Sequence, residues 1–167
     1  KTFQREGLAS DAVRLEAALK DEAAASGPVR AAKQARDAGE ALLANDKADA
    51  ALKPLTGAVA ADPGDPRNWL AYARAASTAA ANEENKDYAA KNRLGRRALA
   101  AAFRAYQRAA AGQPEGEALA QLARLYADRS EYRDAMETYR ASLAASDDSG
   151  VREDYEALRA EHGFRIL

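Results

Sequence analysis

The side chains that perform most enzymatic chemistry are scarce in this sequence. It contains no cysteine and one histidine, His162, which stands beside Gly163. Without a thiol and with a single imidazole, no Ser-His or Cys-His nucleophilic arrangement is expected. His162 is better explained as the last residue of a helix, where its charge interacts favourably with the helix dipole. These residues favour a protein that is not an enzyme.

Phosphate and metal sites have no good candidates either. Gly64 and Gly95 are isolated and follow no predicted strand, so neither indicates a phosphate-binding loop. A calcium site needs about six to eight converging oxygen ligands. Neither acidic run in the chain has that spacing, whether Glu83, Glu84 and Asp87 or the run Asp128-Arg129-Ser130-Glu131. The sequence predicts no cofactor and no metal.

The composition favours helices over strands. Ala, Leu, Glu, Lys and Arg dominate the 167 residues, whereas Ile occurs once and Val and Thr are sparse. The first group favours helices, and the second contains the residues that strands prefer. No apolar run approaches about 18 residues, so no membrane insertion is expected. We therefore predict an all-α fold that forms one domain or one compact repeat array.

The overall charge narrows the class of partner. The formal net charge is −1 and the sequence pI is about 6.0, whereas nucleic-acid-binding proteins usually carry a basic excess. The balance therefore argues against a nucleic-acid partner. The absence of cysteine excludes disulfides, but it does not decide the cellular compartment.

Turn and capping residues divide the chain into helical segments. A first helix begins after the N-cap Ser10-Asp11 and ends before Ser26-Gly27-Pro28, and a second runs from there to Ala44. The strongest stop signal is Asp62-Pro63-Gly64-Asp65-Pro66. Pro54 lies inside the helix before that signal, where it removes a backbone hydrogen bond. It predicts that this helix starts late, or has a kink or a break just before Pro54.

The stretch from Leu119 to Ser142 has the clearest internal pattern. Leu119-x2-Leu122-Ala123-x2-Tyr126 is followed by Ala135-x3-Tyr139. This pattern resembles the tetratricopeptide repeat, a pair of helices in about 34 residues. Two further copies read Ala35-x2-Ala38-Gly39-x2-Leu42 with Ala51-x3-Leu55, and Trp69-x2-Tyr72-Ala73-x2-Ala76 with Ala102-x3-Tyr106. The resemblance implies a short solenoid of antiparallel helix pairs.

Two residues of these copies have specific structural expectations. Gly39 costs helix stability relative to alanine, by about 0.5–1 kcal/mol, and is expected where the partner helix approaches closely. Trp69 occupies the tryptophan position of the repeat pattern. It is expected to be a core aromatic, with a ligand contact as the alternative. Tyr126, Tyr132 and Tyr139 are likewise expected at packing positions.

The second copy contains an insertion. Ala51 and Ala102 are 51 residues apart, which exceeds the repeat length, and the surplus falls in the charged residues 77–97. We interpret the surplus as two lengthened helices or as a separate insert; surface decoration and a specific contact both remain open. A final amphipathic helix, Val151 to Ala160, is expected to cap the stack. The chain thus divides into residues 1–30 (N-terminal segment and leading helix), 31–149 (three irregular repeats) and 150–167 (capping helix and the start of a following domain).

The family geometry implies where a partner binds. In tetratricopeptide proteins the first helices of the repeats line a concave groove, which binds a protein or peptide. Carried over to this sequence, the groove positions fall at Lys33, Arg36 and Glu40; at Arg67, Leu70 and Arg74; and at Ala120, Arg124 and Asp128. The charged positions Lys33, Arg36, Arg67, Arg74, Arg124 and Asp128 are the candidate partner-binding residues. The alternative is a structural spacer whose charges are simply solvated.

The last 50 or so residues have a second resemblance. The segment LAQLARLYADRSEYRDAMETYRASLAAS, with VREDYEALRAEHGFRIL, looks like the N-terminal helical region of large bacterial alpha-2-macroglobulin-type proteins, which trap proteases. This resemblance implies an accessory domain of a periplasmic or envelope protein, in contact with other domains of that protein. The thioester Cys-Gln motif of that family is absent, so the trap itself would lie outside this chain.

Two other functions remain open. One is a stand-alone cytoplasmic adaptor that binds a peptide segment, and the other is a helical domain with a closed apolar pocket for a small molecule. The residues after Leu167 distinguish the accessory domain of an envelope protein from the stand-alone adaptor. A β-rich continuation with a thioester motif supports the envelope protein, whereas a stop codon contradicts it.

Overall fold

The computed structural model describes residues 7–25, 31–82 and 87–163. All regular structure in these ranges is helical apart from turns, and the predicted all-α fold is confirmed. Several predictions fall outside the described ranges. They concern residues 1–6, the predicted turn Ser26-Gly27-Pro28, the acidic residues Glu83 and Glu84, and residues 164–167, where a following domain was expected to begin. The described helices are α1 (Leu8–Ala25), α2 (Ala32–Ala44), α3 (Ala48–Ala61), α4 (Pro66–Asn82), α5 (Tyr88–Arg108), α6 (Gln113–Asp128), α7 (Tyr132–Ala145) and α8 (Ser149–His162).

The helices pack as consecutive pairs. The most extensive packing joins α4 to α5, α6 to α7, and α2 to α3. Each pair contacts the next, because α3 packs against α4 and α5 packs against α6. The first helices of the pairs also adjoin one another, α2 against α4 and α4 against α6. This arrangement is a short solenoid-like stack.

The turns inside the first and third pairs have the same backbone geometry. The turn after α2 places Asp46 at a φ of 59°, and the turn after α6 places Ser130 at a φ of 62°. The Lys47 amide donates to the Leu42 carbonyl at 3.0 Å, and the Glu131 amide donates to the Tyr126 carbonyl at 2.9 Å. Such short turns make the two joined helices antiparallel. The internal repetition seen in the sequence is therefore also present in the backbone.

The leading helix α1 packs on the second helices of the stack. It contacts α3 and α5, and it buries Ala12, Leu15 and Leu19. Ion pairs fix the α1–α5 contact, because Glu16 pairs with Arg104 and Glu22 pairs with Arg97. α1 therefore packs across α3 and α5.

Gly39 and Trp69 have the expected structural roles. A Cβ atom on Gly39 would lie 2.6 Å from Cδ2 of Leu55 in α3, so alanine does not fit without movement. Trp69 is fully buried, and its indole N–H donates to the Pro63 carbonyl at 2.9 Å. Trp69 is thus a core residue. Tyr126 and Tyr139 are also buried, whereas Tyr132 is half-buried and stacks on His162 with ring centroids 3.7 Å apart.

The predicted break at Pro54 is wrong, and so is a late helix start. α3 begins at Ala48 and continues through Pro54 to Ala61. Burial accounts for this continuity, because Ala51, Leu55 and Ala58 are fully buried on both sides of the proline. Their packing offsets the hydrogen bond that proline cannot donate. A bend at Pro54 stays a prediction.

The insertion consists largely of longer helices. α4 has 17 residues and α5 has 21, whereas the other two pairs have helices of 13 to 16 residues. The N-terminus of α5 is capped by Asp87, whose carboxylate accepts hydrogen bonds from the Ala89 and Ala90 amides. The last helix, α8, packs on α7 through Val151, Tyr155 and Leu158. Its predicted capping position is confirmed.

Candidate partner-binding surface

The predicted groove positions divide into buried and exposed sets. Aligning Gly39, Ala73 and Ala123 makes Arg36, Leu70 and Ala120 equivalent, and all three are buried, with 8%, 4% and 2% exposure. The next equivalent position, Glu40, Arg74 and Arg124, is exposed. A helix presents one stripe of residues to its neighbours. The expectation that Arg36 and Leu70 line an open groove is therefore wrong, because both lie on the packed face, whereas Ala120, although buried, contributes to the lining of the cavity described below.

Arg36 is part of a buried polar cluster. One of its terminal nitrogens, Nη1, donates to Asp65 Oδ2 at 2.8 Å and to Asn68 Oδ1 at 2.9 Å. Asn68 is fully buried and donates to the Asp62 carbonyl at 2.9 Å. The cluster joins α2 to the segment that begins α4. Arg36 is thus occupied within the chain and is not exposed to a partner.

The pKa of Asp65 reflects this cluster. Burial alone would raise the pKa of Asp65, but hydrogen bonds from the Arg67 side chain and amide and from Arg36 outweigh burial and lower it. The carboxylate therefore stays charged at neutral pH. It holds Arg36 on one side and caps the N-terminus of α4 through the Arg67 amide, at 2.9 Å, on the other.

Arg74 and Arg124 line one cavity, which we call the α4–α8 groove. It has a volume of about 210 Å³ and is formed by side chains of α4, α6 and α7 together with the start of α8. Its lining combines small residues with polar and charged ones. The lining residues are Arg74, Gln113, Gly116, Glu117, Ala120, Arg124, Ser142, Ser146, Asp148 and Val151.

Both arginines of the α4–α8 groove are held by exposed carboxylates. Arg74 pairs with Glu117, and the two side chains are 44% and 49% exposed. Arg124 Nε donates to Asp154 Oδ2 at 2.9 Å, with exposures of 47% and 42%. Exposed pairs of this kind contribute about 0–1 kcal/mol to folding. The groove therefore presents charges that can exchange partners at small cost.

Arg124 and Asp154 also influence Tyr139. Burial is the main cause that raises the pKa of Tyr139 to about 12, and the charge of Asp154 adds to it, while Arg124 opposes it through its charge and a hydrogen bond. The phenol therefore stays neutral at any physiological pH. It serves as a buried polar partner for Arg124.

The remaining predicted residues lie elsewhere. Lys33 pairs with Asp37 of its own helix at 2.7 Å, and Arg67 pairs with Asp65 at 3.0 Å. Asp128 lines a different cavity, between α4, α5 and α6. Of the six candidate residues, the structure brings Arg74 and Arg124 together and leaves the others apart from them.

Sequence reasoning missed Glu117, which belongs to the groove. Glu117 lies 50 residues after Arg67, and Ala123 lies 50 residues after Ala73, so Glu117 occupies the repeat position of Arg67. The predicted positions of the third repeat were Ala120, Arg124 and Asp128. The first two are equivalent to Leu70 and Arg74, but Asp128 was chosen in place of the residue equivalent to Arg67. Strict use of the repeat register would have found Glu117.

Two further kinds of site are absent from the part of the chain that the structure describes. No group of three or more metal-ligating side chains occurs among residues 7–25, 31–82 and 87–163. In the same ranges, no helix has the length and apolar character to cross a bilayer.

Comparison with known proteins identifies no relative. No protein-family model matches the chain. No curated protein and no solved structure has significant similarity to it.

Proposed function

We propose that this chain is a non-enzymatic helical-repeat module that binds a protein segment in the α4–α8 groove. The observation that carries the proposal is the meeting of Arg74 and Arg124, from equivalent positions of successive repeats, at one polar cavity. Both arginines are held by exposed carboxylates of neighbouring helices. When a carboxylate of the partner replaces Glu117 or Asp154, the chain loses little folding stability.

The repeated turn geometry supports a tetratricopeptide-like module in particular. The turns at Asp46 and Ser130 share their φ values and hydrogen bonds at equivalent positions of the repeat pattern. In such a module the first helices line the ligand-binding side, and α4 and α6 are first helices here.

We further propose that the module is an accessory domain of a larger bacterial envelope protein of the alpha-2-macroglobulin type, located in the periplasm. The support is the resemblance of the segment from Leu119 to Leu167. Its partner would then be another domain of that protein. The gene sequence beyond Leu167 tests this context, because a thioester-containing continuation supports it and a stop codon contradicts it. A cytoplasmic peptide-binding adaptor is the alternative in that case.

The groove itself is tested by charge reversal. The chain is immobilised, used to capture proteins from an envelope extract, and compared with the double variant R74E/R124E. The double variant R14E/R133E is the matched control, since Arg14 and Arg133 are exposed and lie outside the groove. We expect loss of the captured protein with R74E/R124E and retention with R14E/R133E, with unchanged helix content by circular dichroism for both. Equal capture by all three proteins would contradict the proposal.

A further inference from the structure

A second cavity lies between the C-terminal parts of α4 and α6 and the N-terminal part of α5. Its volume is about 340 Å³, which is within the range of small-ligand pockets. The apolar part of its lining consists of Ala80, Ala81 and Leu125, and Ser77 and Asn92 add a hydroxyl and an amide. We call it the α4–α5–α6 cavity. It is separate from the α4–α8 groove and shares no lining residue with it.

Gly95 leaves this cavity open. It lies within α5 and lines the cavity, and a Cβ atom there would have no atom within 4 Å. Gly39 and Gly116 differ, because a Cβ atom on either would collide with Leu55 or Ser146. Close packing thus explains those two glycines. It does not explain Gly95, which lowers helix stability and gains no packing contact in return.

Asp128 provides an unmatched negative charge at the same cavity. Its carboxylate has no hydrogen-bond or ion-pair partner within the described parts of the chain. Asp128 is an exposed residue, and partial burial of its carboxylate by the surrounding protein raises its pKa. A carboxylate in this position gains from a cationic partner, because charge-assisted hydrogen bonds are the strongest that a carboxylate makes.

The neighbouring cations do not fill this role. Arg129 also lines the cavity, but its Nε donates to Glu131 at 2.7 Å. Lys91 lines the cavity from α5 and has an interaction of its own. Neither forms an ion pair with Asp128. The carboxylate is therefore available to a ligand that enters the cavity.

We propose that the α4–α5–α6 cavity binds an alkylammonium ion, a primary amine on a short aliphatic chain. The ammonium group donates to Asp128, and the aliphatic chain lies along Ala80, Ala81 and Leu125 in the space next to Gly95. The source of the amine is either a small molecule or the side chain of a lysine. This site is independent of the protein-binding groove, so the two proposals fail or succeed separately.

The experiment is a titration of the isotopically labelled chain followed by NMR. The probes are n-pentylammonium, 1-pentanol and pentanoate, which have similar chains and a positive, neutral or negative head group. We expect saturable shifts of the Gly95, Asn92 and Leu125 amides with n-pentylammonium. The affinity for n-pentylammonium should exceed that for 1-pentanol by about twofold to fivefold, and pentanoate should not bind. Equal affinity for all three probes, or no saturable shift, overturns the proposal.

Two variants and one control assign the binding to the cavity. Asp128→Asn should remove the preference for the amine over the alcohol. Gly95→Leu should fill the cavity and weaken n-pentylammonium binding at least about tenfold, with a melting temperature no lower than that of the wild type. Asp21→Asn is the control, because Asp21 is exposed on α1 and does not line the cavity. Unchanged amine binding in Asp128→Asn and Gly95→Leu overturns the proposal.

A further arm distinguishes the two sources of the amine. Nα-acetyl-lysine amide and n-pentylammonium are titrated in parallel. Tighter binding of the lysine derivative supports the side chain of a protein partner, and tighter binding of n-pentylammonium supports a small molecule. Failure of both to bind overturns the shared chemistry. The capture experiment on the α4–α8 groove is unaffected by any of these results.

Discussion

The two ends of the stack are held together by different means. At the α2–α4 end, the polar cluster of Arg36, Asp65 and Asn68 is buried, and Gly39 lets Leu55 approach the backbone of α2. At the α4–α6 end, the position equivalent to Arg36 is occupied by Leu70 and then by Ala120, and the ion pair that joins the two helices, Arg74–Glu117, is exposed. Helices of the second end also line two cavities.

This difference indicates where a partner can bind without a large loss of folding stability. A buried polar cluster is costly to disturb, because each group left without its partner keeps the full desolvation penalty. Exposed ion pairs such as Arg74–Glu117 and Arg124–Asp154 are weakly coupled to folding. An arginine therefore stabilises the fold at the α2–α4 end, where Arg36 is buried. At the α4–α6 end, Arg74 and Arg124 are exposed and available to a partner.

The sharpest test of this contrast compares two Arg–Asp pairs. Asp65→Ala leaves Arg36 buried without its carboxylate and removes the N-terminal cap of α4, so we expect a loss of about 2–4 kcal/mol in the free energy of unfolding. Asp154→Ala removes the exposed partner of Arg124 and should cost less than about 1 kcal/mol. Urea unfolding of both variants measures the difference. Similar losses would show that burial does not distinguish the two pairs.

A second test compares glycines. Gly39→Ala forces a Cβ atom against the buried Leu55, and we expect a loss of about 1–3 kcal/mol. Gly95→Ala places the same methyl group in open space within α5, and we expect a gain of about 0.5–1 kcal/mol from helix propensity. Thermal and urea unfolding measure both effects. Opposite signs are the essential result, and destabilisation by both substitutions would contradict the description of α5.

The helices were accessible to sequence reasoning because periodicity and turn residues are local signals. Gly39, Trp69 and the lengthened α4 and α5 were accessible for the same reason, since each depends on a spacing within the repeat pattern. The partners of Arg36 were not. Periodicity shows which face of a helix is apolar, but an arginine on that face has the same sequence signal whether solvent or Asp65 of the next repeat covers it.

The packing position of α1 could not be predicted from the sequence, for a related reason. Its partners on α5 are 75 and 88 residues away in the sequence. Four of the six basic residues of α5 lie in the charged insertion 77–97 and two lie beyond it, and α5 contains no acidic residue. Only the fold shows that the glutamates of α1 complement these arginines. Pro54 illustrates the opposite error, because a strong local signal was outweighed by the burial of its neighbours.

The smallest expected effect concerns the attachment of α1 and depends on pH. Burial raises the pKa of Glu16, but hydrogen bonds from Arg104 and Lys20, with their charges, outweigh burial and lower the pKa below its ordinary value. A lowered pKa in the folded state means that the stabilisation is fully present above the ordinary glutamate pKa. It is lost as the pH falls through the pKa of the folded state.

Glu16→Gln therefore tests whether α1 is held by charge. The variant should be less stable than the wild type at pH 7 by about 0.5–1 kcal/mol, a modest figure because Arg108, one of its partners, is substantially exposed. The difference in stability should shrink towards zero as the pH falls below the pKa of Glu16 in the folded protein, since protonated glutamate and glutamine are then similar. Asp21→Asn, an exposed position on the same helix, is the control and should change the stability at pH 7 by less than Glu16→Gln does. A stability difference that stays constant from pH 7 to pH 3 would show that apolar packing through Leu15 and Leu19 attaches α1, and that its ion pairs with α5 contribute little.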